Sequence, residues 1–385
     1  MEDMKIAVLG LGFVGLTAAA GFASKGFNVT AFDTDSSRRK LISEGTVPFF
    51  EPDLTATGFK VAQTQDEATK DADIVFICVG TPQGKDGSVD LTYINTALQT
   101  LSAPANCLVV IKSTVLPGTT ASLKSRYKLA NNPEFLREGH AWEDFINPDR
   151  TVCGVTDEHS KQLLETVYKP FNAPIHFTTL NTAEFIKYLS NTMLATMISY
   201  ANEMSLIAGE IGDIHTKTAF EILHQDKRLK NSGIAHYIYP GAGYGGGCLP
   251  KDTQALAYVA KEKANILRKV IDLNNAMPQI NCEKIVNECK SKESTITILG
   301  LSFKPGSDDV RESTAAKIIE LLLANGYKNI TAYDPIATEE FKKHYNFNIN
   351  YELKLGDVTA IATAWSEFKS YDYSNTTLVD LRYVV

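Results

Sequence analysis

The chain has 385 residues, of which 44% are hydrophobic and 22% charged. That is ordinary globular composition with length for about two or three domains, which excludes a small stapled scaffold and wholesale disorder. Lys plus Arg number 38 against 45 Asp plus Glu, a formal charge of −7, so the basic stripe of a nucleic-acid binder is missing and no such partner is expected.

The six cysteines, at 78, 107, 153, 248, 282 and 289, show no CxxC spacing and read as free thiols of a reducing compartment. The first residues lead straight into a strand-like run, without a signal-peptide pattern. The longest apolar-rich stretch, near 193–201, is short and interrupted, below what a bilayer span needs. A cytoplasmic protein with no membrane partner is expected.

In the first third, β-branched runs at 5–9, 28–33, 74–79, 108–112 and 150–155 alternate with helical stretches. This is the rhythm of a parallel sheet covered by helices. Gly10-Leu11-Gly12-Phe13-Val14-Gly15 follows the first strand and opens an Ala-rich helix, and Asp33 ends the next strand. Such glycines allow a tight turn and close approach of a pyrophosphate to the helix start, while the acid accepts bonds from the adenosine ribose. NAD is therefore expected ahead of NADP, although Arg38 stands near enough in sequence to serve a 2′-phosphate.

Two further strand ends, Val79-Gly80-Thr81-Pro82 and Lys112-Ser113-Thr114, belong at the same carboxyl edge of the sheet. Position alone leaves each of them open between a ligand contact and a plain turn. The 132–139 stretch sets Glu134 and Glu138 four apart and precedes Pro148-Asp149-Arg150. Acid–base work and two solvated carboxylates on a short helix are both open readings.

A long helix follows at 182–208, with apolar residues at nearly every angle, which predicts a buried helix between domains. Lys187 and Asn191 share one of its faces. An amine on such a surface needs either a core carboxylate or a chemical task. The Gly-rich loop 239–247 then leads through Cys248 into a helix starting near Pro250. A thiol at a helix start has a nucleophile's setting, although a lone Cys is more often a small buried hydrophobe.

More helix runs to about 290. Strands at 295–299, 329–333, 358–363 and 377–380 and a helix at 313–325 then predict a second, smaller α/β domain. Its first loop carries Lys304 and Arg311 ahead of a helix, which suits a phosphate or leaves two solvated cations. No HxH, HExxH or GxxxxGK[ST] pattern occurs, so neither a metal site nor an ATPase is supported.

In order, GLGFVG at 10–15, VGTP at 79–82, KSTVLPG at 112–118, NPEFLREG at 132–139, PDR at 148–150, EFIKYLSN at 184–191, GYGGGCLPKD at 243–252 and GLSFKPGSDDVRES at 300–313 span nearly the whole chain. Together they resemble the UDP-glucose/GDP-mannose dehydrogenase family. The resemblance implies two Rossmann-like, doubly wound parallel-sheet domains bridged by a helical domain with a long central helix. Here these fall at 1–181 for NAD, 182–290 for the helical part with the cysteine loop, and 291–385 for the nucleotide sugar. It also implies a homodimer formed through the helical domain.

The implied reaction is an NAD-dependent four-electron oxidation of a sugar C6 alcohol to the acid, supplying uronate for polysaccharide synthesis. By the same resemblance, Cys248 forms a thiohemiacetal and then a thioester, Lys187 stabilises the oxyanion, and Asn191 and Asp252 hold the reacting oxygen or water. Thr114 assists, and Glu134 serves thioester hydrolysis. The cofactor residues carried over are Gly10, Leu11, Gly12, Phe13, Val14, Gly15, Asp33, Arg38, Gly80, Thr81, Pro82, Thr114, Glu138 and Arg311. Those for the sugar nucleotide are Phe135, Leu136, Arg137, Glu138, Lys187, Asn191, Tyr239, Gly241, Gly243, Tyr244, Gly245, Lys304 and Arg382.

Members acting on UDP-glucose usually place Arg-Ile-Gly 16 residues before the nucleophile, whereas Arg228 here stands 20 before Cys248, a layout leaning toward GDP-mannose relatives. Pro148-Asp149-Arg150 leans back, so UDP-glucose is expected, with GDP-mannose or a UDP-N-acetylhexosamine as alternatives. Two other classes compete: a single-hydride hydroxyacid dehydrogenase and a non-catalytic NAD-binding sensor. The cysteine stretch argues against the first, and the presence of Cys248, Lys187 and Asn191 against the second.

Overall fold

The computed structural model of the chain describes residues 4–84, 87–230 and 233–385. Two compact units, Met1–Ser190 and Asn191–Val385, divide it. In the first, eight strands form one sheet: β1 Lys5–Leu9, β2 Asn28–Phe32, β3 Lys60–Val61, β4 Ile74–Ile77, β5 Leu108–Ile111, β6 Lys128–Asn131, β7 Thr151–Gly154 and β8 Ile175–Thr178. Their order is β3-β2-β1-β4-β5-β6-β7-β8. Every residue of β4 and β5 is buried, because helices cover both faces and the central strands can then be apolar throughout.

The expected parallel sheet is present, with one junction that its rhythm did not announce: β7 meets β6 antiparallel, through Asn131 and Gly154. Three strands were not anticipated. β3 is two residues long, while β6 and β8 carry Lys128, Asn131 and His176 among few apolar residues, so neither length nor alternation marks them. Strand order reverses between β1 and β4. Because β1 to β6 run parallel, the loops after them gather at one carboxyl edge, beside the crevice opened by that reversal.

In the second unit, β9 Ile296–Leu299, β10 Ile330–Tyr333, β11 Val358–Ile361 and β12 Thr377–Asp380 form an all-parallel sheet ordered β10-β9-β11-β12. Ser313 starts the helix Thr314–Ala324 by accepting from Ala316 N and donating to Leu301 O. The two units repeat one device, a carboxylate at the end of the second strand receiving the turn after the first. Asp33 accepts Leu11 N at 2.7 Å and Asp334 accepts Leu301 N at 2.8 Å.

Asp334 is sealed further. It also accepts from Ser302 N, Ser302 Oγ, Trp365 Nε1, Ile336 N and Ala337 N. With its lone pairs taken by protein donors, Asp334 is committed to holding the fold, whereas Asp33 has fewer protein partners.

The helix Leu180–Ile211 corrects one expectation. It is not buried all round: Phe185, Leu189, Met193, Tyr200, Ile207 and Ile211 are exposed, with Leu189 at 53% and Ile211 at 69%. Their spacing of four and seven puts them on one stripe. Gly212, at φ 76°, takes the left-handed conformation that ends the helix. Among the described residues, no helix is long and apolar enough to cross a membrane.

Candidate active site

The first glycine turn is shaped by backbone contacts. Gly10 has φ 91°, and a Cβ there would lie 2.8 Å from Cys78 O, so only glycine lets β1 pass the end of β4. A Cβ on Gly15 would fall 1.7 Å from Gly10 O, which fixes how closely the helix Phe13–Ser24 leaves the turn. At Gly12 a Cβ would meet nothing within 4 Å. That opening stands at the N-cap of the helix, where unpaired N–H groups face outward and an anion is favoured.

Asp33 is buried and accepts from Leu11 N, Asp35 N and, at 3.3 Å, Arg38 Nη1. Arg38 therefore leans on the carboxylate. Across the crevice, Gly80 likewise faces open space and Thr81 Oγ1 donates to Thr114 O at 2.8 Å, which ties the loops after β4 and β5 together. The residues present thus fit a pyrophosphate and an adenosine ribose.

The 132–139 stretch is an extended loop after β6, not a short helix, and Glu134 is not solvated. Its carboxylate meets Lys187 Nζ at 2.7 Å, with the side chains 6% and 5% exposed, and it accepts Leu136 N at 2.6 Å. Burial pushes the Glu134 carboxyl up, but the Lys187 ammonium, the Leu136 N–H and the Lys112 charge together outweigh it and hold the group below its ordinary value. Lys187 therefore has the core carboxylate that one of its two readings required, and Glu134 is that partner. Phe135 lies under both Arg150, at 4.2 Å from the ring centre, and Lys187, at 5.8 Å. Arg137 instead forms a two-pronged pair with Asp144, and Glu138 is half-buried in the same loop.

Two buried carboxylates that the sequence did not single out hold these loops. Glu184 accepts Gly118 N and Thr120 N at 2.6 and 2.7 Å, fixing the loop of Thr114. Glu51 accepts Gly139 N and Ala141 N at 2.8 and 2.6 Å, fixing the end of the Glu134 loop. Burial raises both carboxyls above their ordinary value in spite of those donors. Their partners lie 64 to 90 residues away, so nothing local in the sequence points to them.

In the second unit, Cys248 is the N-cap of the helix Leu249–Ala260, with Pro250 in its first turn, and its side chain is exposed. The positive end of the helix favours an anionic sulfur there. Of the other cysteines, Cys78, Cys107, Cys153 and Cys282 are buried and Cys289 partly so. Burial pushes Cys78, Cys107 and Cys153 up to about 12. One turn beyond Cys248, the buried Asp252 accepts Asn191 Nδ2 at 2.6 Å and Lys251 Nζ at 2.5 Å.

The Gly-rich loop needs its glycines. A Cβ on Gly245 would lie 2.4 Å from Glu312 O, and one on Gly247 2.7 Å from the Arg311 guanidinium. The 300–313 loop thus packs directly on the loop that leads to Cys248, and Arg311 is paired with Asp309. Three buried asparagines stitch the other end: Asn202 Oδ1 receives Gly241 N, Asn274 exchanges bonds with the Tyr244 backbone, and Asn281 donates to Ala242 O. Gly243, at φ 109°, faces Asn274.

Arg382 packs its guanidinium against Gly241, and Tyr239 stacks edge-on with Tyr383. Lys304 lies 5.6 Å from the Phe303 ring centre. Arg228 is 87% exposed and paired with Asp226, while Asn231 and Ser232 of its segment fall outside the described residues.

Family models match three consecutive stretches: the UDP-glucose/GDP-mannose dehydrogenase NAD-binding domain at residues 4–172, the central domain at 181–276 and the UDP-binding domain at 297–385. A UDP-glucose 6-dehydrogenase of Bacillus subtilis is 36% identical, over 96% of this chain and 89% of its own. Among solved structures, a UDP-glucose dehydrogenase of Pyrobaculum islandicum aligns with TM-score 0.91 at 35% identity, covering 100% of this chain and 95% of the other. A UDP-D-ManNAc dehydrogenase of Pyrococcus horikoshii aligns with TM-score 0.86 at 29% identity, covering 99% and 96%.

Proposed function

The chain belongs to the UDP-glucose/GDP-mannose dehydrogenase family of NAD-dependent enzymes, and from that premise we propose that it oxidises C6 of UDP-glucose to the carboxylate by a four-electron route through Cys248. The observation that carries this reading is an exposed thiol capping a helix one turn before the buried Asp252–Asn191 pair. Gly10 to Gly15 and Asp33 would hold NAD, which when bound would supply the hydride acceptor for each of the two oxidation stages, one NAD for each. The aldehyde formed by the first loss accepts the Cys248 sulfur at its carbon, giving a thiohemiacetal. A second loss of hydride and a proton leaves a thioester, and water then releases the carboxylate and restores the thiol.

In this reading Lys187 donates to the oxygen that gains charge when sulfur or water adds. Glu134, kept ionised beside it, receives a proton from the hydrolytic water. Asn191 and Asp252 orient the reacting oxygen, Thr114 assists, and Lys304 and Arg382 supply positive charge for the nucleotide. The 1–181, 182–290 and 291–385 division is retained as the functional one. The uronic acid produced suits polysaccharide synthesis.

UDP-glucose is favoured over GDP-mannose and the UDP-N-acetylhexosamines by the names of the Bacillus and Pyrobaculum relatives, which are closer in identity than the Pyrococcus protein. Initial rates with each sugar nucleotide test it. UDP-glucose is expected to lead in kcat/KM by at least about tenfold, and a higher value for an N-acetylated or guanosine sugar would contradict the assignment.

The exposed apolar stripe on the helix Leu180–Ile211 supports a homodimer, since a row of this kind is covered in most stable proteins. Sedimentation at micromolar concentration is expected to give twice the chain mass, and a monomer there would overturn the dimer.

A further inference from the structure

Asn132 opens the Glu134 loop, and its side chain is held on three sides. Its Nδ2 donates to Val152 O at 2.8 Å, and its Oδ1 accepts both from the Tyr168 hydroxyl and, at 2.8 Å, from Lys112 Nζ. Lys112 follows β5 and is 4% exposed. Its Nζ lies 5.8 Å from the Phe145 ring centre, and the titratable groups whose charge acts on it are Cys78, Glu134, Cys153 and Lys187. An amine buried this deeply is costly to keep, and no step so far uses it.

We propose that Lys112 is a positioning residue for the oxidation: it anchors the Glu134 loop through Asn132 and sets a second positive charge beside the Glu134–Lys187 pair. The proposal rests on the reading that Glu134 and Lys187 serve the reaction. Two ammonium groups around one carboxylate leave the cluster with a net positive charge in a poorly screened interior, which favours an anionic oxygen arriving there. Burial pulls the Lys112 amine below its ordinary value while Cys78, Glu134 and Cys153 act against that, and the Lys112 charge helps to hold the Glu134 carboxyl down.

The signs give a signature. Without the Lys112 charge, Glu134 takes up a proton at higher pH, and Lys187, relieved of a like charge, loses its proton at higher pH. Both limbs of the kcat–pH profile therefore move upward together, by about half a unit or more. Lys112→Gln, which keeps a donor for Asn132, is expected to show this displacement. Lys112→Met is expected to show it with an additional fall in kcat of roughly tenfold. KM for NAD should stay within about twofold, because the glycine turn is untouched.

A merely structural role would lower the melting temperature and the rate without moving both limbs. A folded variant with the native profile would overturn the proposal. Should neither variant fold, nitrogen-15 NMR of the lysine amines in the native enzyme reads the same premise: a charged Lys112 at neutral pH is expected, and a neutral amine overturns it. Glu134→Gln separates the two levels. A native rate in Glu134→Gln would remove the underlying reading, whereas a slow Glu134→Gln beside an unshifted Lys112→Met overturns the role of Lys112 alone.

Discussion

Replacing Cys248 with alanine is expected to lower carboxylate formation by at least about 10³-fold, while NAD binding stays native. The magnitude follows from what is lost. A covalent nucleophile divides a difficult conversion into two easier ones, and removing such a group from other enzymes costs several powers of ten. Alanine removes only the sulfur, and the residue is an exposed helix cap rather than part of the core, so folding should survive.

The glycine turn and Asp33 lie in the other compact unit, so cofactor titration of the variant is an internal control for its fold. Rapid-mixing measurement of NADH checks the rate. A Cys248→Ala enzyme making uronate within about tenfold of the native rate would exclude the thioester route.

The second large effect is on stability. Lys187→Met leaves the Glu134 carboxylate buried without its counter-charge, and stranding one partner of a buried pair costs about 3–5 kcal/mol. The pH dependence identifies the cause. In the native protein the Glu134 carboxyl is held below its ordinary value of 4.5. Its contribution is therefore present above that value and is lost as the pH falls through the lower, folded one.

With Lys187 gone, burial, the largest single influence on the Glu134 carboxyl, is opposed only by the Leu136 N–H and the Lys112 charge. The carboxyl is then expected to rise above its unfolded value, so the sign reverses and the variant loses stability as the pH rises. Urea melts at neutral pH and near 4.5 should show the difference between variant and native narrowing toward the acid end. A difference independent of pH would mean that lost packing rather than the stranded charge is responsible. The double variant Lys187→Met with Glu134→Leu is expected to recover much of the loss, because it strands no charge.

What was legible in the sequence was local. Glycines at 10, 12 and 15 with Asp33 announce a turn, a helix start and an acid because each acts within one βαβ step, and Cys248 before Leu249-Pro250 announces a helix cap in the same way. What was not legible depends on distance along the chain. Glu134 and Lys187 are joined only when β6 is laid in the sheet, and on spacing alone Glu134 and Glu138 stayed open between acid–base work and a solvated pair.

The same holds for Glu51, Glu184 and the asparagines at 202, 274 and 281. Each is an unremarkable polar residue until it meets the backbone N–H or carbonyl of a distant loop. The helix Leu180–Ile211 shows a third limit. Its composition reveals that many faces are apolar, but which face the rest of the chain covers is decided by packing, and one stripe remains exposed.

The most direct test of the account is the number of NADH molecules formed per molecule of UDP-glucose when the sugar nucleotide is limiting and NAD is in excess. Two per sugar, with uronate as the product, is the predicted result. One per sugar, with an aldehyde or ketone accumulating, would contradict the four-electron reaction and place the chain with single-hydride dehydrogenases in spite of Cys248.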